Sequence, residues 1–220
     1  MSKHWHEYID VIYYINLDHR EDRRIEFLGE MERMGVPSEK IIRIPAVYKP
    51  KQGDWGCSLS HVNTIDVFQM SGHKNCIVFE DDFMFVRNII DINHVFYQMF
   101  EEHSIPYNIC MVSYNIFPEY LIETEYPFLM TASKASQTTS GYIIHQDFSD
   151  SLLQNFTESA SLIEKSYEFG KSMEIQHHFC IDQYWNKLLV DSKWYLFTDR
   201  IGIQRKSYSD IEEEIADYGI

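Results

Sequence analysis

The sequence predicts an α/β fold in which a largely parallel central sheet is flanked by helices. Apolar runs rich in β-branched and aromatic residues alternate with segments whose apolar residues recur at helical spacing. This alternation is typical of sheets whose parallel strands are joined by helices. The chain has 220 residues, 45% of them hydrophobic, which is enough for one globular domain over residues 1–220.

The predicted strands are continuous apolar runs that end at turn-forming residues. They lie at 11–15, 41–44, 75–79, 83–86, 107–113, within 138–144 and at 193–197. The predicted helices carry an apolar face, and Gly35 and Pro37 are placed to end the first of them. These helices lie at 20–34, 56–71, 92–102 and 148–163.

Three segments are predicted to be irregular. Residues 48–55 lack an apolar pattern and indicate a loop. Residues 114–137 are long and aromatic and contain two prolines, so we interpret them as a flap beside a functional site. Residues 211–220 are rich in acids and lack Lys and Arg, which predicts a solvated tail.

Composition excludes several classes of function. The formal net charge of -15 argues against non-specific binding to nucleic acid or to an anionic membrane. No stretch approaches the roughly 20 apolar residues of a membrane span, and the first ten residues contain no apolar signal core. The four cysteines form no CxxC pair, which argues against a zinc or redox motif. Three of them lie in apolar segments as expected for buried thiols, so a reducing, cytoplasmic location is predicted.

Three consecutive carboxylates follow the apolar strand at 75–79. Glu80, Asp81 and Asp82 repel one another and are costly to desolvate, and a bound cation relieves both penalties. Hard oxygen ligands of this kind suit Mn²⁺ or Mg²⁺. Ligand sites of open α/β sheets lie beyond the carboxyl ends of the strands. The triplet therefore predicts a metal-assisted site for an anionic, phosphate-bearing ligand; the alternative is a solvated acidic turn.

Other polar residues at helix starts are candidates for the same site. Arg20 and Arg23 lie near the start of the first helix, where arginines can bind phosphate or carboxylate, or form a solvated basic face. His61 lies near the start of the second helix and is either a ligand-binding or a structural histidine. Ser58 or Ser60 is predicted to cap that helix.

Four short blocks resemble a known family when they are taken together and in order. They are residues 14–23 (YINLDHREDR), 56–61 (GCSLSH), 78–82 (VFEDD) and 204–211 (QRKSYSDI). These blocks resemble the INLxxRxxR, GCxLSH, EDD and Q…SDI segments of glycosyltransferase family 25. That group contains bacterial lipopolysaccharide glycosyltransferases and collagen galactosyltransferase domains. Residues 140–144 and 182–185 also stand where blocks of this family are expected.

The resemblance implies a GT-A-type glycosyltransferase fold, a nucleotide-sugar donor, Mn²⁺ or Mg²⁺, and inversion at the anomeric carbon. The implied reaction moves a hexose, galactose or glucose, from a UDP-sugar to a hydroxyl of a glycan, lipopolysaccharide or hydroxylysine-type protein. Residues 114–137 would then lie on the acceptor side. The donor-binding residues carried over are Asn16, Leu17, Arg20, Arg23, Ser60, His61 and Asp81.

The reaction also needs metal ligands and a base. A bound metal stabilises the leaving diphosphate, and Glu80 and Asp82 are the expected ligands, with His177 or His178 as a further candidate. Inversion in one displacement needs a carboxylate that accepts the acceptor's proton, and Asp182 is the candidate. The alternative for Asp182 is an N-cap of the helix that follows.

Two other classes of function stay open at this point. One is a non-catalytic carbohydrate- or protein-binding relative that keeps the fold; the intact carboxylate triplet favours the enzyme. The other is a metal-dependent phosphohydrolase, which is not expected to carry the blocks at 14–23 and 204–211.

Overall fold

The computed structural model describes residues 3–134, 136–170, 176–209 and 214–216. The strands of this part are β1 (Val11–Asn16), β2 (Ile41–Pro45), β3 (Asn75–Glu80), β4 (Phe83–Phe85), β5 (Ile109–Met111), β6 (Leu121–Glu123), β7 (Leu129–Ala132), β8 (Gly141–His145), β9 (Trp194–Phe197), β10 (Gly202–Gln204), β11 (Ser207–Ser209) and β12 (Glu214–Ala216). The helices are α1 (Glu21–Arg33), α2 (Gly53–Ser71), α3 (Ile89–Tyr97), α4 (Ser149–Glu168) and α5 (Ile181–Tyr184).

The central sheet of the described residues has eight strands in the order β2-β1-β3-β8-β5-β9-β7-β6. β1 is parallel to β2 and β3, and β5 is parallel to β9. β8 runs antiparallel to both of its neighbours, as β7 does. Six of the eight strands therefore run in one direction, with β7 and β8 reversed. The predicted α/β fold with a mostly parallel central sheet flanked by helices is confirmed.

The two faces of the sheet bury separate cores because successive side chains of a strand point to opposite faces. Ile12 and Tyr14 of β1 pack with α1 and α3 on one face. Val11 and Tyr13 of the same strand pack with α2 and α4 on the other. All six residues of β1 are buried, so its continuous apolar run is that of a strand covered on both faces.

Several predicted boundaries shift. α2 begins at Gly53, three residues earlier than predicted, so the loop at 48–55 is shorter. Its N-cap is Gln52, and the prediction that Ser58 or Ser60 caps the helix is wrong. Both serines lie inside α2 and donate to the carbonyl oxygens of Asp54 and Gly56, four residues back.

The segment at 114–137 is more regular than a flap. β6 and β7 form an antiparallel hairpin, and β7 pairs with β9, so the hairpin extends the central sheet. These strands have three and four residues, too few for an alternating pattern to stand out in the sequence.

The tail prediction at 211–220 is wrong for β12, which pairs with β11; residues 211–213 and 217–220 lie outside the described residues. In the part of the chain that is described, no helix has the length and apolarity to cross a membrane.

Two short strands fix the segment that follows the carboxylates. β4 and β10 are antiparallel, with Phe83 opposite Gln204. Gly202 makes this pairing possible, because a Cβ there would lie 2.1 Å from the Phe83 ring. The amide of Arg205 donates to the carbonyl oxygen of Asp82 at 2.7 Å. Residues more than a hundred positions apart thus hold the end of β3 in place.

Candidate functional site

Two adjoining cavities lie at the carboxyl ends of β1 and β3. The first, about 120 Å³, lies between these strand ends, the start of α2 and the segment at 46–49. The second, about 310 Å³, lies between α2, the segment at 137–139 and α5. Cys57, Glu80 and Gln204 line both cavities, so the two form one continuous groove. This is the edge where open α/β sheets bind ligands.

Asp81 is held by β1 and α1. Asn16 donates to Asp81 Oδ2 at 2.7 Å, and Arg23 donates to Oδ1 at 3.0 Å. Burial raises the pKa of Asp81 although the Arg23 charge opposes the shift. Asn16 is 1% exposed and also accepts from Arg43 at 2.9 Å. The opening block of the chain therefore positions one carboxylate of the triplet.

Glu80 is held on the opposite side by α2 and β8. Its Oε1 accepts from Thr139 at 2.7 Å and lies 3.3 Å from His61 Nε2. Because a carboxylate only accepts, His61 Nε2 carries a proton, and Nδ1 forms a hydrogen bond with the Tyr142 hydroxyl at 2.9 Å. Burial would raise the pKa of Glu80, but the contacts from His61 and Thr139 outweigh it and lower the pKa. Glu80 is thus kept ionised by a buried histidine.

Asp82 is the least compensated carboxylate of the triplet. Arg23 lies 3.3 Å from its Oδ2, while its buried Oδ1 has no hydrogen-bond partner in the described residues. Burial and the charge of Glu80 raise the pKa of Asp82 to about 7. An ionised carboxylate in this position needs a further cation. The carboxylate oxygens of Asp82 and Glu80 are hard donors of the kind that suits a divalent ion such as Mn²⁺ or Mg²⁺.

Cys57 and His61 lie beside the same carboxylate. The ligand atoms of Cys57, His61 and Glu80 lie within 4.8 Å of one another. Both ring nitrogens of His61 already contact side chains, and burial raises the pKa of the Cys57 thiol well above its usual range. A protonated thiol and an engaged imidazole are weak ligands for Mg²⁺ or Mn²⁺. His61 is accordingly better suited to orienting Glu80 than to binding metal directly.

The segment at 46–49 closes the first cavity over α2. The amide of Val47 donates to Ser60 Oγ at 2.8 Å. Lys49 lies over the Trp55 ring, 3.8 Å from its centroid. The Tyr48 side chain is 58% exposed and its ring meets the His19 ring edge-on at 5.0 Å. An exposed ring at the cavity wall is suited to stacking on a flat ligand group.

Gly56→Ala is expected to displace this wall. A Cβ at residue 56 would lie 2.4 Å from the Val47 carbonyl oxygen, which is backbone and cannot rotate away. We expect a loss of about 1–3 kcal/mol of unfolding free energy in urea titrations. Gly29→Ala is the matched control, because nothing lies within 4 Å of its Cβ and alanine favours a helix interior. An unchanged stability for Gly56→Ala would contradict the close approach.

Asp182 lines the second cavity with Glu80, Thr139 and Gln204. Burial, and then the charge of Glu80, raise the pKa of Asp182 to about 7. The N-cap of α5 is Cys180, and Asp182 lies in the first turn, so the N-cap interpretation of Asp182 is wrong. A half-buried carboxylate with this pKa, facing a groove, is suited to accepting a proton near neutral pH.

The structure brings most of the predicted residues together. The first cavity is lined by Asn16, Leu17, Arg23, Ser60, His61, Glu80, Asp81 and Asp82. Arg20 is outside the described lining, and its guanidinium pairs with Asp22 at 2.9 Å. His177 lines the second cavity, whereas His178 is outside both described linings.

Sequence reasoning gave no role to Cys57, Thr139, Tyr142 or Gln204. Three of them line the groove, and Tyr142 contacts His61. All four lie inside or beside the motif blocks. Their positions in the sequence could therefore have marked them as candidates for the site. What each side chain touches depends on sheet pairing, which the blocks do not encode.

Comparison with known proteins adds evidence on the fold. No family model matches the chain, and no curated protein matches its sequence. A glycosyltransferase involved in the glycosylation of the major capsid of PBCV-1 is similar in structure, with a TM-score of 0.51 and 9% identity over 92% of this chain and 95% of that chain. The glycosyltransferase GlyE in Streptococcus pneumoniae TIGR4 has a TM-score of 0.43 and 10% identity over 87% of this chain and 45% of that chain. The first likeness establishes a glycosyltransferase fold of GT-A type; the second is too weak to add to it.

Proposed function

We propose that residues 1–220 form one metal-dependent glycosyltransferase domain, similar to glycosyltransferase family 25. It moves a hexose, galactose or glucose, from a UDP-sugar to a hydroxyl acceptor with inversion. The observation that carries the proposal is the groove itself. Glu80 and Asp82 line the first cavity, where Asp82 Oδ1 has no hydrogen-bond partner in the described residues, and Asp182 lines the adjoining second cavity together with Glu80. The four cysteines are free thiols, which fits the reducing environment of the cytoplasm.

The metal fits the carboxylates that end β3. When bound, Mn²⁺ or Mg²⁺ neutralises charge on the leaving diphosphate. Asp82 and Glu80 would hold the ion, and His61 keeps Glu80 ionised and oriented. Asp81 is engaged by Asn16 and Arg23 and serves to fix the end of β3, next to the donor.

The first cavity is the proposed donor site. Its apolar wall consists of Leu17, Ala46 and Val47, and the Tyr48 ring is available to stack on the uracil base. Lys49 lies at the same wall, where an ammonium group attracts phosphate. We place Arg20 near the nucleotide end of the donor, beyond the lining of the cavity.

Asp182 is the proposed general base. It lines the second cavity, while Asp82 lines the first and Glu80 lines both. The acceptor hydroxyl loses its proton to this carboxylate as its oxygen attacks the anomeric carbon. The bond to the diphosphate breaks on the opposite face of the sugar, which gives inversion.

A donor screen tests the proposal. The purified chain is incubated with UDP-galactose, UDP-glucose and their N-acetyl forms, with Mn²⁺ or with a chelator, and released UDP is measured. Release that depends on Mn²⁺, from one donor above the others, is the expected result. If no donor is turned over with or without saccharide acceptors, the chain is instead a non-catalytic relative with this fold.

Tyr142→Phe is expected to weaken Mn²⁺ binding by about tenfold, because partners that orient metal ligands affect affinity. The variant removes the hydroxyl that forms a hydrogen bond with His61 Nδ1, and this frees the ring that holds Glu80. Calorimetric titration with Mn²⁺ measures the affinity. Tyr13→Phe is the control, since Tyr13 is buried in the same core and is not a partner of His61. Equal affinity in both variants would mean that Tyr142 has only a packing role.

A further inference from the structure

A third cleft, of about 160 Å³, continues the groove beyond Asp182. Asn115 and Gln137 line both this cleft and the second cavity, so the two are contiguous. Gln183, which follows Asp182 in α5, lines the far side of the cleft. A molecule that presents a hydroxyl to Asp182 would therefore extend into this cleft.

The lining of this cleft combines side-chain amides with aromatic rings. Its described polar residues are four amides and one lysine, without a carboxylate: Asn115, Gln137, Gln183, Asn186 and Lys134. The lack of acid in this lining contrasts with the net charge of -15 of the whole chain. Each amide offers both a donor and an acceptor, as neighbouring sugar hydroxyls require.

Two aromatic rings form one wall of the cleft. Phe117 is 60% exposed, and its ring meets that of Tyr120 at 6.2 Å in an edge-to-face arrangement. Lys134 covers a face of Tyr120 at 4.2 Å and contacts its hydroxyl at 3.1 Å. Phe117 is thereby left as the open platform, and a flat ring suits the C–H face of a pyranose.

Backbone hydrogen bonds fix the cleft in shape. The backbone amide of Gln137 donates to the carbonyl oxygen of Asn115 at 2.9 Å. The backbone amide of Asn115 donates to Ser136 Oγ at 2.9 Å. Ser133 donates to the carbonyl of Tyr120 at 2.8 Å. A site with these connections is formed before the ligand arrives, which lowers the entropic cost of binding.

We propose that this cleft is an acceptor subsite that binds the penultimate sugar of a saccharide, while the terminal sugar lies beside Asp182. The inference rests on the proposed function and specifies its acceptor as a saccharide of at least two sugars. A hydroxylysine-type peptide is disfavoured. The charged residue of the described lining is Lys134, so cationic residues of such a peptide would contact no carboxylate in this cleft.

A saccharide titration followed by NMR tests the subsite without any turnover. The full chain, labelled with ¹⁵N, is titrated with lactose, cellobiose, maltose and chitobiose, and with the monosaccharides galactose and glucose. We expect at least one disaccharide to shift the side-chain amide signals of Asn115 and Gln137. That disaccharide should bind more tightly than its monosaccharides.

Phe117→Ala should weaken the binding of that disaccharide by about fivefold to tenfold, as expected for the loss of an aromatic contact. Phe169→Ala, which removes another ring that is 73% exposed, should leave binding unchanged. Gln137→Ala should likewise weaken binding and leaves the aromatic wall in place. The proposal is overturned if no disaccharide shifts the side-chain amide signals of the cleft. It is also overturned if Phe117→Ala and Gln137→Ala both bind the disaccharide as tightly as the wild type does.

Donor hydrolysis separates this outcome from that of the proposed function. Mn²⁺-dependent release of UDP into water needs no acceptor, so it reports on the donor site alone. Release of UDP without saccharide binding overturns the subsite and leaves the transferase in place. Saccharide binding in the cleft without any donor turnover overturns the transferase and leaves a carbohydrate-binding site.

Discussion

Asp82→Asn is expected to abolish Mn²⁺-dependent donor turnover, with a loss of about a thousandfold or more, because a Lewis-acid metal contributes several kcal/mol to such a step. The variant keeps the shape of the side chain and removes its charge. Turnover of the UDP-sugar at saturating Mn²⁺ measures the effect. Asp66→Asn, an exposed position on α2, controls for the loss of one carboxylate. Wild-type turnover in Asp82→Asn would remove Asp82 from the metal site.

The same variant should not lose stability. The folded state raises the pKa of Asp82 from 3.8 to about 7, so this group stabilises the fold below pH 3.8 and loses that contribution as pH rises through about 7. Asn is neutral at every pH. In metal-free buffer, Asp82→Asn should therefore melt at or above the wild-type temperature at pH 8. A large decrease in melting temperature would instead indicate misfolding as the cause of inactivity.

Asp182→Asn is expected to reduce sugar transfer by about 10²- to 10⁴-fold, the usual contribution of a general base. Donor and Mn²⁺ affinities should stay near those of the wild type, because neither ligand contacts this residue in the proposed arrangement. Transfer rate, measured with saturating donor and a saccharide acceptor, gives the magnitude. Full transfer activity would end the assignment of Asp182 as the base.

The pH profile supplies a second test of Asp182. Its pKa is raised to about 7, and only the ionised form accepts a proton. Transfer by the wild type should fall about tenfold per pH unit below that value. At saturating Mn²⁺, which keeps Asp82 ionised, the residual activity of Asp182→Asn should lack this acidic limb. An identical profile in both proteins would place the titrating group elsewhere.

How far the sequence predicts the site differs between residues. β3 and its carboxylates were predictable, because a buried apolar run followed by Glu80, Asp81 and Asp82 is a strong local pattern. The partners of His61 were not, because Glu80 is 19 positions away and Tyr142 is 81. Such contacts depend on β8 lying beside β3, and the pairing of distant strands is not encoded in a local period.

The proposed acceptor side was the hardest to predict. The hairpin of β6 and β7 consists of strands too short to show alternation, so an ordered sheet edge was interpreted as a flap. The interpretation of Asp182 stayed open between base and N-cap because both favour an acid near a helix start. The start of α5 at Ile181 excludes the N-cap, since it assigns the cap to Cys180, and the base stays a prediction.

The pairing of β10 with β4 has a consequence for the order in which the protein matures. Gln204 and the amide of Arg205 pair with the segment that follows β3 only after the intervening residues have been synthesised. At about 5–20 residues per second, the segment from Asp82 to Arg205 takes several seconds to synthesise. During that interval the acidic end of β3 lacks β10, so the proposed metal site is incomplete. The end of β3 thereby gains its full set of contacts only after residue 205 has been synthesised.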